Sequence, residues 1–256
     1  MLLAQTPPAS SWYPAWEEIA FLVGLAIAYV LAARRDRPSL LRSALFFSGL
    51  VLALVAVATP VATVAVNYLV AAHLLQNVVL AEWAPALLVL GLGPWVAGWV
   101  ARNPVTRTLT RPLVALPLWL ATYALLHIPL AYEAALDNRL LLDLEHLSYL
   151  LGGVFLWWSV FQDEPWHLPS GGKAAYLFAA FVLASPLGLL LALLPSPLYD
   201  AYVQAPRLWG IQPLEDQQIG GTLMAVSEAL VFFGLLAYFF VRFMAEEDAG
   251  YSHGDA

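Results

Sequence analysis

Seven stretches of this chain stay apolar for about twenty residues each, and that feature restricts its fold more than any other. They cover residues 14–33, 43–64, 68–92, 112–130, 139–161, 174–194 and 219–244. A run of about 20 apolar residues crosses the ~30 Å hydrocarbon core of a bilayer as a helix. Lipid offers the backbone no hydrogen-bond partners, so each spanning segment must satisfy its own N–H and C=O groups, as an α-helix does. A β-barrel would need short strands of alternating polarity, and the sequence has no such pattern. Only 11% of the residues are charged, against roughly 25% in soluble domains. The expectation is an all-α fold: a polytopic membrane helix bundle with seven transmembrane helices. It forms a single domain over residues 1–245, followed by a short polar tail at 246–256 that is expected to fray.

Lys and Arg set the orientation, because cytoplasmic loops carry an excess of both. Arg34, Arg35, Arg37, Arg42, Arg102, Arg107, Arg111, Lys173 and Arg242 fall on one side, and Arg139 and Arg207 on the other. The N-terminus is therefore expected outside and the C-terminus in the cytoplasm. Trp12, Tyr13 and Trp16 belong to the outer aromatic belt on this reading. The start, "MLLAQTPPASSWYPAW", has no basic n-region and no small-residue cleavage site before a short apolar core. It reads as a mature N-terminus. The longest outer loop, 195–218, is rich in proline and carries Tyr199, Tyr202 and Trp209. It is expected to form a cap on the outer surface.

The chain has no cysteine, so a metal site must use His, Met or carboxylates. Helical rise, about 1.5 Å per residue, converts position into depth. Counted from the outer end of each span, His73 and Met224 lie roughly 7–8 Å deep, His146 roughly 10 Å and His127 roughly 5 Å. Four residues from four helices thus share one level. Polar side chains inside a membrane face the bundle interior or water. Two readings follow: a metal site built from His73, His127, His146 and Met224, since imidazole and thioether suit copper, or separate interhelical hydrogen bonds. Asn77 lies one turn from His73, on the same face. Asp143 lies one turn from His146 and is placed to orient its imidazole. Glu145 is about 100° around the helix from His146, so it meets another partner.

Two carboxylates go deeper: Glu228 at roughly 13 Å and Glu82 at roughly 21 Å. A lone buried carboxylate is protonated or hydrogen-bonded. Such a residue marks a proton or cation path or acts as interhelical glue. Pro85 and Pro186 are expected to interrupt their spans.

The segment "YALLHIPLAYEAALDNRLLLDLEHLSYLLGGVFLWWSV", residues 123–160, resembles the central signature of the multi-spanning CtaG family of cytochrome c oxidase assembly factors. "HLLQNVVLAEWAPALLVLGLGP" is similar to that family's His-x-x-Gln-His segment with its following Ala-Pro and Leu-Gly-x-Pro. "PLEDQQIGGTLM" is similar to its Asp-Gln-Gln, Gly and Met element. The resemblance implies a multi-pass protein of the bacterial inner membrane that helps build a haem-copper oxidase and handles copper for it. It carries over His73, His127, His146, Asp216, Gln217, Gln218 and Met224 as functional polar residues. Asn77 and Leu142 stand where the family pattern has further histidines.

The implied partners are a cytochrome c oxidase subunit and membrane lipid. No basic patch invites nucleic acid. No serine has a base arranged for nucleophilic chemistry, so the chain is not expected to be an enzyme. Two other functions fit the residues: a non-metal scaffold docked on an oxidase, and a proton-coupled carrier working through Glu82 and Glu228.

Overall fold

Proline and short polar side chains mark where the helices begin. The computed structural model describes residues 6–35 and 37–254, so the reading of the N-terminus falls partly on residues outside it. In chain order the α-helices are α1 (Trp16–Ala33), α2 (Leu40–Ala58), α3 (Pro60–Asn67), α4 (Val70–Val78), α5 (Ala84–Gly91), α6 (Pro94–Arg102) and α7 (Pro104–Leu109). Then come α8 (Pro112–Leu126), α9 (Pro129–Asp137), α10 (Arg139–Phe161), α11 (Ser170–Leu193), α12 (Asp200–Gln204), α13 (Pro213–Glu228) and α14 (Gly234–Gly254). Ser39, Thr59, Asn103 and Asn138 each accept a first-turn N–H of the helix that follows, which satisfies donors left over at a helix start. Six proline-headed helices use the position where a missing N–H costs nothing.

Among the described residues there is no strand. Six helical segments are long and apolar enough to span a bilayer, and α8 with α9, bent by 74°, makes the seventh. Four expected spans differ in detail. The apolar run 43–64 breaks at Thr59–Pro60 into α2 and α3, because Pro60 supplies no N–H to continue the ladder. Residues 112–130 bend at His127–Ile128, ahead of Pro129. α14 runs on to Gly254, past the end expected for the last span at 244. Pro186 does not interrupt α11.

The segment from Val70 to Gly91 is 72% buried, whereas α1 is only 17% buried, so the former is the central helix and α1 lies at the edge. Around the centre, α13 packs on α4, α2 on α5, and α10 on α5 and α8; α11 closes the far side against α13 and α14. Large apolar side chains such as Leu31, Val51, Leu183 and Leu230 are exposed, which is the lipid-facing surface of such a bundle. The polar side chains point inward: His73, Gln76, Asn77, Glu82, His127, Glu145, His146, Asp216, Gln217 and Glu228 are all buried.

Two π-helical turns interrupt the long helices. Val79–Trp83 joins α4 to α5, with the Ala84 N–H bonded to Val79 O, and Ala229–Phe233 joins α13 to α14. The first has a clear cause. Pro85 lacks an N–H, and its ring crowds the carbonyl four residues back, that of Ala81. The Trp119 indole of α8 donates to that carbonyl at 3.2 Å. Gly153 of α10 makes the third side, because a Cβ there would collide with Ala81 O and with the Pro85 ring. The "Gly-Gly" of α10 thus lets that helix approach the loosened turn.

Candidate functional site

Tyr132 is the centre of the histidine level. The 74° bend after α8 folds α9 inward and buries this side chain completely. Its ring centroid lies 4.7 Å from that of His73 and 6.0 Å from that of His127. The His73 and His146 rings are 6.4 Å apart. Three histidines from α4, the end of α8 and α10 therefore share one buried layer, as the depth count expected.

Each imidazole is held in the same way. His127 Nδ1 lies 2.8 Å from Tyr123 O. A carbonyl only accepts, so Nδ1 carries the proton. His146 Nδ1 lies 3.3 Å from Glu18 Oε1, and a carboxylate also accepts. His73 Nδ1 lies 2.8 Å from the Tyr202 hydroxyl. That hydroxyl spends its one proton on Ala65 O at 2.6 Å, so His73 Nδ1 is the donor here too. Burial, then the nearby Glu145, pushes Tyr202 well above the ordinary phenol range, which keeps it a hydroxyl. With Nδ1 as the donor, the neutral form of each imidazole carries its lone pair on Nε2. All three Nε2 atoms are buried without a hydrogen-bond partner.

Glu145 and Asn77 complete the layer. Glu145 Oε1 is 3.6 Å from His73 Nε2 and 3.5 Å from Asn77 Nδ2. Its other oxygen has no partner, and neither has Asn77 Oδ1. Glu145 does meet a different partner from His146, as its helix angle predicts.

The loop expected to lie on the surface instead plugs the bundle. Tyr199 stacks on Tyr132 at 4.1 Å and donates to His127 O at 3.0 Å. Glu133 accepts the Asp200 N–H at the start of α12, and Gln217 Oε1 accepts the Leu198 N–H at 2.6 Å.

The remaining site candidates have other positions. Asp143 does not orient His146; Glu18 of α1 does. Asp143 joins Glu17 and Glu18 in a group whose oxygens lie within 4.8 Å of one another, and Arg139 reaches all three carboxylates. Among the described residues this is the one group of three carboxylate or imidazole ligands that close together. Asp216 accepts the N–H groups of Val70 and Ala71 at 2.7 and 3.0 Å, capping α4 from another helix. Gln217 ties α13 to Leu191 O as well as to the loop. Gln218 is partly buried, its carbonyl accepting from Thr222. Met224 is fully buried in the α11–α13 packing, where a Cβ on Gly188 would lie 3.2 Å from its own Cβ. Glu82 accepts the Tyr123 hydroxyl at 2.8 Å, and Glu228 has no hydrogen-bond partner.

Sequence reasoning missed Glu18, Tyr123, Tyr132, Tyr149 and Tyr202 as parts of the layer. Tyr149, whose hydroxyl lies 3.1 Å from His127 Nδ1, stands three residues after His146 on α10. That helical spacing, like the four residues from Tyr123 to His127, was an available signal. Nothing local tells that the loop bearing Tyr202 reaches His73.

A family model described as cytochrome c oxidase caa3 assembly factor matches residues 26–246. Neither a curated protein nor a solved structure matches the chain.

Proposed function

We propose that this chain, which belongs to the cytochrome c oxidase caa3 assembly factor family, handles copper for the oxidase on its layer of histidines. One observation carries the reading: three buried histidines from three helical segments each set Nδ1 against an oxygen and leave Nε2 without a hydrogen-bond partner. Metal-bound histidines are held in this way, since the partner at one nitrogen fixes the ring and leaves the other as a ligand. The donor set fits the cargo, because imidazole suits copper. His73, His127 and His146 would hold the ion through Nε2. Glu145, next to His73 Nε2, would supply negative charge beside it.

The Lys and Arg distribution supports setting this layer near the outer face of the membrane. Copper would then be received from that side and passed to an oxidase subunit in the same membrane. A bacterial inner membrane is the setting the family function suggests.

Metal analysis of the purified protein tests the reading. Wild type is expected to retain copper under reducing conditions, and His73→Ala and His146→Ala to lose it together. No copper on wild type would remove the reading. A second reading, a scaffold without metal, draws on the packing of Met224 against α11 and on the histidines falling outside the close ligand group. It predicts an oxidase with full copper content in cells carrying His73→Ala.

A further inference from the structure

We propose that Glu82 and Glu228 form a proton-binding site inside the membrane-spanning part of the bundle, separate from the histidine layer. Both side chains are completely buried. Glu82 sits within one π-helical turn, and Glu228 immediately precedes the other. The Trp83 indole donates to Ser227 Oγ at 2.9 Å, joining the residue after one carboxylate to the residue before the other. The two carboxyl groups lie within range of each other's charge.

Their surroundings do not compensate two negative charges. Glu82 Oε1 receives the Tyr123 hydroxyl, while Glu82 Oε2 and both oxygens of Glu228 have no partner. Ser185 of α11 faces Glu228 without reaching hydrogen-bond geometry. The titratable groups acting on Glu82 are Glu228 and Tyr123, and neither brings positive charge. An isolated carboxylate in such a place takes a proton rather than stay ionised, and two carboxyl groups within reach resist double ionisation further. Since Oε1 of Glu82 already accepts from Tyr123, the proton of Glu82 belongs on Oε2.

Interhelical glue would show these oxygens paired across a helix interface, and three of the four are not. A π turn breaks the regular backbone ladder and recurs at functional positions. Two of them, one holding Glu82 and the other directly following Glu228, flank a place for a mobile cation of the smallest size. Tyr123 links this site to the histidine layer, for its hydroxyl donates to Glu82 while its carbonyl accepts the hydrogen bond of His127 Nδ1–H.

Infrared difference spectroscopy on the full chain in lipid at neutral pH tests the proposal. Wild type minus the double variant Glu82→Gln/Glu228→Gln is expected to contain a protonated carboxylic C=O band. Glutamate labelled with carbon-13 should move that band, and Tyr123→Phe should shift it by removing the hydroxyl on Glu82. A difference that contains carboxylate bands alone overturns the proposal. If the double variant does not fold, the single variants Glu82→Gln and Glu228→Gln serve, each expected to remove or shift the band. Absence of a carboxylic band from labelled wild type overturns the proposal without any variant.

Discussion

Removing the Asp216 carboxylate should loosen the helix that carries His73. Asp216 accepts two N–H groups, from Val70 at 2.7 Å and Ala71 at 3.0 Å. Both residues are buried, and Leu69, at the cap position itself, offers no side-chain acceptor. Asp216→Ala therefore strands two buried donors. Each such loss costs about 1–2 kcal/mol, giving about 2–4 kcal/mol in all. Asp216→Asn keeps one acceptor oxygen and loses the charge, so about 1–2 kcal/mol is expected. His73 is two residues beyond Ala71, and its own N–H bonds to Leu69 O at 3.2 Å. Fraying of this first turn therefore reaches the imidazole directly. Unfolding by denaturant in detergent micelles, followed by tryptophan fluorescence, gives the stability order wild type, Asn, Ala. An Ala variant within about 0.5 kcal/mol of wild type, the range of an ordinary surface change, would refute the cap. A helix cap also predicts that Asp216→Asn retains metal binding better than His73→Ala does, which a direct ligand role would not.

Gly153→Ala should cost about 1–3 kcal/mol by overpacking, because a Cβ there meets Ala81 O and the Pro85 ring; a lowered Tm in lipid checks it. Tyr202→Phe leaves Ala65 O unpaired and frees the His73 ring, so copper affinity should fall about 10–100-fold with the fold kept; competition titration with a copper chelator reads this. At the other end of the bundle, burial acts to raise the Asp163 carboxyl, but hydrogen bonds from Lys173 and His167 outweigh it and hold the group below its usual range. A depressed carboxyl contributes stability above its unfolded value, about 3.9, and loses it as pH falls through the lower folded value. The slope of stability below about pH 4 should therefore shrink in Lys173→Ala. The total effect stays under about 1 kcal/mol for so exposed a pair, and acid titration of unfolding midpoints measures it.

Much of the fold could be read from the chain because lipid allows so few backbone solutions. Apolar length alone placed the helices, and proline and capping residues placed most of their ends. Breaks were harder. Pro60 and Pro129 end helices, whereas Pro117 and Pro186 lie inside continuous ones. Depth, which depends only on helical rise, put His73, His127, His146 and Met224 at one level; the structure brings the three histidines into one buried layer and places Met224 in the α11–α13 packing. Direction around each helix was legible only in part: the angle separated Glu145 from His146, yet Asp143 was assigned to His146 in place of Glu18.

By itself the sequence determined an all-helical membrane bundle, its family and the level of its buried histidines, because these follow from local periodicity and from motifs within single segments. The tertiary structure decided which nitrogen of each histidine is free. That choice belongs to Glu18, Tyr123 and Tyr202, and two of these three stand more than a hundred residues from the imidazole they hold. It also showed Asp216 to be a helix cap and joined the neighbours of Glu82 and Glu228 through the Trp83–Ser227 hydrogen bond. Hydrogen bonds between helices depend on rotation and approach, and those are fixed only when the whole bundle packs.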